Sequence, residues 1–265
     1  MVLRQEHGLH TTTLGEDGPL VAFCHGLFGQ GKNWTTIAKA LAENHRVLLV
    51  DMPNHGRSAW TERFDYIDTA DRVAALFSAD DPVALVGHSM GGKAAMVLAL
   101  RHPELVERLG VVDVSPVDYQ ARSEFEGYIA AMLALDLGSI TRREEADAAL
   151  ADAVPDPTVR SFLLQNLRRT DDGWTWQPNL ELLGRDLAHL GDWPEEALEG
   201  VAPYDGRTLW IAGERSPYVK DEYADAMARW FPRNRKVTIK DAGHWVHSEQ
   251  PEIFIEVLRR FLAQR

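Results

Sequence analysis

Short runs of apolar residues recur along this chain, and the stretches between them place apolar residues at helical spacing. Apolar runs of roughly 4–8 residues bounded by turn signals are typical of buried strands. Because such strands alternate here with amphipathic helices, the pattern predicts an α/β fold with a largely parallel sheet covered on both faces. The predicted strands are residues 20–24, 46–50, 83–86, 110–112, 208–212 and 236–240, with one or two more around 10–14. The predicted helices between them are residues 33–43, 66–79, a stretch beginning at Gly92, 223–230 and a last helix from Pro251.

The pattern changes over residues 115–203, where no strand is predicted and aromatic residues gather. The apolar positions there keep a helical period, which indicates a set of amphipathic helices. We expect a core domain made of residues 1–114 and 204–265, with 115–203 inserted between two sheet strands as a helical cap subdomain. The predicted cap helices are 123–135, 142–153 and 158–167.

A glycine-flanked serine follows the apolar run at residues 83–86, in the sequence G-H-S-M-G. At a strand-to-helix turn, G-x-S-x-G forms a nucleophile elbow, which holds the serine on a sharp, strained turn with its hydroxyl exposed. A side chain at Gly87 or Gly91 would collide with the neighbouring strand or helix. We therefore predict Ser89 as a nucleophile, with the N–H of Met90 directed at the oxygen of the group that it attacks.

A His-Gly pair, His25 and Gly26, ends the apolar run at residues 20–24, roughly sixty residues before the elbow. Serine hydrolases built on a nucleophile elbow place the second N–H donor for the oxyanion in a loop at this position. We assign this donor to the N–H of Leu27, with Phe28 as the alternative.

A serine hydroxyl needs a base to act as a nucleophile near neutral pH. His244 is the predicted base, because it follows the last predicted strand and a glycine that lets the loop turn. The chain order nucleophile, acid, histidine is the order for this type of elbow.

The acid that orients the base has several candidates. In most hydrolases with this elbow, the acid follows the strand that corresponds to residues 208–212, but the loop there carries Ser216 in place of the usual aspartate. Asp113 lies at the end of the preceding strand and is our first choice. Glu214 and Glu181 remain open as alternatives.

Quoted in full, the motifs that carry these residues are GHSMGGKAAMVLALRHPELVERLGVVDVSPV, HGLFG, SPYV and AGHWVH. They resemble the small cap-bearing α/β-hydrolase esterases of the YbfF group and their mitochondrial relatives, over nearly the whole chain. The resemblance implies an α/β-hydrolase fold with a mostly parallel eight-stranded sheet. It also implies a serine carboxylesterase (EC 3.1.1 class) or a thioesterase, with Ser89, His244 and Asp113 as its triad and no cofactor.

Aromatic residues of the predicted cap are candidates for an acyl-binding pocket. Tyr119, Tyr128 and Trp174, with Phe125 and Trp176, would line its walls, and Phe28 and Trp245 its floor. Packing in the core explains each of these aromatic residues equally well when it is taken singly.

Composition limits the partners of this 265-residue chain, whose formal net charge is −12. A strongly acidic balance argues against nucleic acid or an anionic membrane as partners. The single cysteine excludes an internal disulfide, and no run of residues near position 1 combines positive charges with an apolar core, so we expect no export. No apolar run approaches the roughly 20 residues of a membrane helix. We expect a cytoplasmic protein that acts on a small-molecule ester or thioester and is a monomer or small homo-oligomer.

Several other functions share parts of this pattern. Residues 26–32 and 87–93 both spell G-x-x-x-x-G-K, but neither is followed by the Ser or Thr that holds magnesium in a phosphate-binding loop. His244 and His247 lack the carboxylate spacing of a metal site, so no metal is predicted. A lactonase, a C–C bond hydrolase, a perhydrolase and a non-catalytic ligand-binding homologue stay open as alternatives.

Overall fold

Strands and helices alternate through residues 2–119 and 123–263, which the computed structural model describes. The strands are β1 (Val2–Glu6), β2 (Leu9–Leu14), β3 (Leu20–Cys24), β4 (Arg46–Val50), β5 (Val83–His88), β6 (Val106–Val112), β7 (Leu167–Thr170), β8 (Gly173–Trp176), β9 (Arg207–Gly213) and β10 (Asn234–Ile239). The α-helices are α1 (Thr35–Leu41), α2 (Tyr66–Ala74), α3 (Met90–Arg101), α4 (Ser123–Ala134), α5 (Arg143–Leu150), α6 (Pro157–Leu164), α7 (Leu180–Arg185), α8 (Leu187–Gly191), α9 (Ala224–Trp230), α10 (Val246–Glu249) and α11 (Pro251–Ala263). Short 3₁₀ helices lie at Gly31–Trp34, Pro103–Leu105, Glu196–Leu198 and Asp221–Tyr223.

Eight strands form one mostly parallel sheet in the order β1-β2-β4-β3-β5-β6-β9-β10. The pairs β1–β2 and β2–β4 are antiparallel, and the pairs from β4 to β10 are parallel. The expected α/β-hydrolase sheet is therefore present. Because parallel strands end at the same edge, the residues that follow β3, β5, β6 and β9 lie close together there.

Each face of the sheet carries its own apolar core. On β3, Ala22 and Cys24 belong to the core covered by α2 and α3, whereas Val21 and Phe23 belong to the core covered by α1 and α11. This alternation follows from the period of two along a strand. Every residue of β5 is buried, because helices cover both faces of this central strand.

The prediction that residues 115–203 contain no strand was wrong. β7 and β8 pair as an antiparallel hairpin in which Leu167 lies opposite Trp176 and Arg169 opposite Trp174. Helix α6 ends at Leu164, before the predicted end of that helix, and Gly173 closes the tight turn with φ of 125°. The sequence T-D-D-G-W-T-W combines turn residues with β-branched and aromatic residues, which favour strands.

The turn between β5 and α3 allows no side chain at its two glycines. Ser89 has φ of 51°, in the left-handed region, and a Cβ at Gly87 would lie 2.3 Å from the carbonyl oxygen of Gly91. A Cβ at Gly91 would lie 2.4 Å from the carbonyl oxygen of His25. Both contacts involve backbone atoms, which cannot move without distorting the turn.

Gly91→Ala is therefore expected to destabilise the fold by about 1–3 kcal/mol, the usual cost of overpacking a close contact. Gly127→Ala in α4 is the matched control, since nothing lies within 4 Å of its added Cβ. In a helix this control substitution should raise stability by up to about 1 kcal/mol. Urea unfolding of both variants checks the prediction, and equal effects of the two substitutions would contradict it.

Candidate active site

Three of the predicted residues lie in one hydrogen-bonded chain at the carboxyl edge of the sheet. Ser89 follows β5, Asp113 follows β6, and His244 lies in the loop between β10 and α10. The Oγ of Ser89 is 3.1 Å from Nε2 of His244, and Nδ1 of His244 is 2.7 Å from Oδ2 of Asp113. The geometry allows proton transfer from the hydroxyl to the imidazole.

The carboxylate of Asp113 is fully buried, and its hydrogen bonds satisfy both of its oxygens. Oδ1 accepts the backbone N–H of Gly213 at 3.0 Å. Oδ2 accepts hydrogen bonds from the Ser216 hydroxyl and from the His244 ring. The buried charge is thus compensated by donors, as a desolvated carboxylate requires. Ser216, at the position where an aspartate is usual, supports the displaced carboxylate by donating its hydroxyl hydrogen.

The two alternative acids lie elsewhere. Glu214 is exposed, and its Oε2 accepts the backbone N–H of Asp241 at 3.0 Å. Glu181 is exposed on α7. Within residues 2–119 and 123–263, Asp113 is the only carboxylate hydrogen-bonded to the His244 ring.

The predicted oxyanion donors, Leu27 and Met90, border the same cavity as Ser89. In the described part of the chain, neither backbone N–H donates a hydrogen bond to another protein group. Gly26 keeps the loop close to the nucleophile, since a Cβ there would lie 3.1 Å from Cβ of Ser89. N–H groups that have no protein partner and border the cavity of the nucleophile can donate to an oxyanion.

Two cavities meet at Ser89. The first, here called the Lys93 cavity, is bordered by Leu27, Lys93, Tyr119, Phe125, Leu187 and Tyr218. The second, here called the Trp245 cavity, is bordered by Phe28, Tyr128, Val159, Phe162, His244 and Trp245. Most of these side chains are apolar or aromatic, which suits the apolar part of an organic substrate.

Four of the five residues predicted to bind substrate border these cavities: Tyr119 the first, and Phe28, Tyr128 and Trp245 the second. Trp174 is not among the described residues that border either cavity. Its ring lies on the hairpin, 5.7 Å from the guanidinium carbon of Arg143 and 5.5 Å from that of Arg169. Arg169 is its direct cross-strand neighbour, so hairpin formation places Trp174 against cations. Trp176 is also not among the described residues that border the two cavities. Its indole N–H donates to the Met132 carbonyl at 2.9 Å.

A family model for the α/β-hydrolase fold matches residues 19–251, most of the chain. The chain belongs to the α/β-hydrolase family. Over 253 residues it is 38% identical to the sn-1-specific diacylglycerol lipase ABHD11 of Mus musculus, with 92% of this chain and 81% of that protein covered. It is 33% identical over 244 residues to Esterase YbfF of Escherichia coli strain K12, with 91% and 92% covered. A solved marine microorganism esterase superimposes with a TM-score of 0.90 at 31% identity, covering 96% of this chain and 98% of that one.

These comparisons confirm the resemblance to YbfF-type α/β-hydrolase esterases. They also confirm the expected class, a carboxylesterase-type hydrolase, since the named relatives are esterases and a lipase. In the described ranges no helix is long and apolar enough to cross a membrane. The same ranges hold no group of three or more His, Cys, Asp or Glu side chains that could bind a metal ion.

Sequence reasoning did not predict Tyr218 and Lys93 in the site of this hydrolase. The Tyr218 ring stacks on the His244 ring with centroids 4.2 Å apart. Lys93 lies one helical turn after Ser89 and therefore on the same face of α3, a spacing that is visible in the sequence. It is only 1% exposed.

Among the described residues, the Nζ of buried Lys93 lies within hydrogen-bond distance of three main-chain carbonyls and of no carboxylate. Its Nζ is 2.9 Å from the Val117 carbonyl and 2.8 Å from that of Asp192, and it also contacts the carbonyl of Gly191. Lys93 thereby ties both ends of residues 115–203 to the helix that carries the nucleophile. Because its amino group is engaged in this way, residues 87–93 do not present a lysine to a phosphate.

Burial lowers the pKa of Lys93 to about 7, from an ordinary value of 10.5. Between about pH 7 and pH 10.5, Lys93 carries a proton in the unfolded chain but not in the folded hydrolase. The contribution of Lys93 to the free energy of unfolding therefore rises with pH in this window. The free energy of unfolding of wild type, relative to that of Lys93→Met, should rise by up to about 1.4 kcal/mol per pH unit across this window. Urea unfolding of both proteins at pH 7.5, 8.5 and 9.5 measures the difference, and a difference independent of pH would contradict the prediction.

Proposed function

We propose that this protein cleaves carboxylic esters through an acyl-enzyme intermediate on Ser89. The observation that carries the proposal is the continuous hydrogen-bonded chain from Ser89 through His244 to buried Asp113, beside two unpaired N–H groups. A serine, a base and an orienting acid in this geometry support nucleophilic acyl transfer. Thioesters carry the same acyl carbonyl and are the second substrate class to assay.

In the first step, the Ser89 hydroxyl attacks the ester carbonyl while Nε2 of His244 takes its proton. The negative charge that develops on the carbonyl oxygen is stabilised by the N–H groups of Leu27 and Met90. The imidazolium then gives the proton to the leaving alcohol, and the acyl group stays on Ser89.

In the second step, His244 removes a proton from water, whose oxygen attacks the acyl carbonyl. The bond from the acyl carbon to Oγ of Ser89 then breaks, His244 returns the proton to Oγ, and the carboxylic acid is released. Asp113 accepts the Nδ1–H of His244 throughout, which keeps Nε2 free as the base and stabilises the charged ring. Ser216 and the backbone N–H of Gly213 hold the carboxylate in place for this task.

Residues 115–203 are proposed to act as the cap that shapes the substrate. Tyr119 and Phe125 border the Lys93 cavity, and Tyr128 and Phe162 border the Trp245 cavity. Aromatic and aliphatic walls favour an apolar acyl or alcohol group. The ABHD11 relative is named a diacylglycerol lipase, a name that agrees with an apolar acyl substrate for this chain.

Hydrolysis of p-nitrophenyl esters of several chain lengths tests the function directly. Wild type should turn over at least one ester and react with a fluorophosphonate label, whereas Ser89→Ala should lose both with its fold intact. The expected loss in kcat is about 10⁴-fold or more, because the acyl-enzyme cannot form. Negligible turnover by wild type would support a non-catalytic binding protein, and near wild-type turnover in the variant would refute Ser89 as nucleophile.

For the acid, Asp113→Asn should lower kcat by about 10³–10⁴-fold, because an amide cannot hold the correct imidazole tautomer. Glu214→Gln is the matched control and should change kcat little, since its carboxylate is exposed and bonded to the backbone of Asp241. Steady-state kinetics of both variants with the same ester decides between them. A large loss in Glu214→Gln with little in Asp113→Asn would assign the acid to Glu214.

A further inference from the structure

We propose that His88 is a positioning residue that holds the main chain of His244 at the distance from which its ring reaches Ser89. The inference rests on the proposed function, because it assigns the support of the base in that reaction. Its basis is that residues 88 and 89, adjacent at the end of β5, contact His244 at two different points.

The His88 ring is bonded to the backbone of the base. His88 is 4% exposed, and its Nε2 lies 2.8 Å from the main-chain carbonyl oxygen of His244. A carbonyl can only accept, so Nε2 of His88 carries the hydrogen. Meanwhile, Ser89 contacts the other end of the same residue, the Nε2 atom of the His244 ring.

The Nδ1 edge of the His88 ring lies against the loop after β3. A Cβ at Gly26 would lie 2.9 Å from Nδ1 of His88, so the loop after β3 abuts that edge of the ring. The ring is therefore wedged between this loop and the loop that carries His244. A wedged side chain holds the geometry of its partner better than a mobile one.

The His244 loop has further hydrogen bonds, to the loop after β9 and to α10. The backbone N–H of Arg215, after β9, donates to the Ala242 carbonyl at 2.9 Å. The Glu249 carboxylate on α10 accepts the backbone N–H groups of Gly243 at 2.8 Å and Trp245 at 3.2 Å. None of these hydrogen bonds comes from β5. Among described residues, His88 supplies the hydrogen bond from the nucleophile strand to the backbone of this loop.

The surroundings of His88 also keep it neutral while His244 gains and loses its proton. Its ring centroid is 4.7 Å from that of His244 and 4.9 Å from that of His247. Burial, followed by the charges of these neighbours, lowers the pKa of His88 well below its ordinary value. A neutral ring donates its hydrogen bond without repelling the imidazolium that forms on His244.

Three variants separate this positioning role from simple packing. His88→Gln keeps an amide N–H that extends about as far as Nε2, and His88→Met fills similar volume without a donor. His247→Met is the matched control, because His247 is a buried ring against His88 whose Nδ1 has no hydrogen-bond partner in the described chain. Each variant is assayed for ester kcat and KM, and for its unfolding temperature.

The expected result is a 10–100-fold loss of kcat in His88→Met, with kcat within about threefold of wild type in His88→Gln and in His247→Met. Recovery by glutamine is the readout that a packing role would not produce. Equal losses in the Gln and Met variants, or wild-type kcat in His88→Met, would overturn the inference.

A measurement on the wild-type protein covers the case in which His88→Met does not fold. Nitrogen-15 NMR of the imidazole groups at pH 7 should show His88 neutral and protonated on Nε2. A charged ring, or one protonated on Nδ1, would overturn the inference without reference to turnover. If wild type hydrolyses no ester but His88 has the expected tautomer, the proposed function fails while the hydrogen bond stands.

Discussion

The site depends on two parallel strands that end side by side and turn sharply as they leave the sheet. β5 and β6 are neighbours, and the residues that follow them, Ser89 and Asp113, have φ values of 51° and 52°. Non-glycine residues adopt this left-handed conformation at a cost that the surrounding structure must offset. Support comes from the backbone N–H groups of Ser89 and Asp113, each of which donates to a carbonyl of a neighbouring strand at 3.0 Å, and from the donors around the Asp113 carboxylate.

The acid on β6 explains why the loop after β9 carries a serine. With Asp113 in place, a second carboxylate at Ser216 would put two negative charges against one imidazole. A hydroxyl there donates to the carboxylate that is present. The loop still contributes to the site through the N–H of Gly213, although the charged group comes from the neighbouring strand.

Much of the fold was predictable because apolar periodicity reports burial directly. The predicted bounds of the strands at 20–24 and 46–50 equal those of β3 and β4. The prediction for β6 started four residues late, because its first half contains Glu107 and Arg108. Arg108 is buried there since its guanidinium donates to the carbonyls of Phe261 and Leu262 at 2.8 and 3.0 Å. Such a tertiary partner cannot be recognised from the local pattern of apolar residues.

The elbow, the histidine and Asp113 were found as candidates because their positions relative to strands are visible in the sequence. Lys93 was missed because lysine is almost never buried, and its three carbonyl partners come from distant segments. The hairpin that places Trp174 opposite Arg169 was missed because the surrounding residues were predicted to be helical. Which aromatic residues reach the cavities depends on tertiary contacts between distant segments, and residue type alone does not reveal these contacts.

A crystal structure of the protein after reaction with a p-nitrophenyl alkylphosphonate tests the central claim most directly, because the adduct mimics the tetrahedral intermediate. The account predicts phosphorus bonded to Oγ of Ser89, with the phosphoryl oxygen about 2.7–3.1 Å from the backbone nitrogens of both Leu27 and Met90. An adduct on another residue, or a phosphoryl oxygen turned away from those nitrogens, would contradict it.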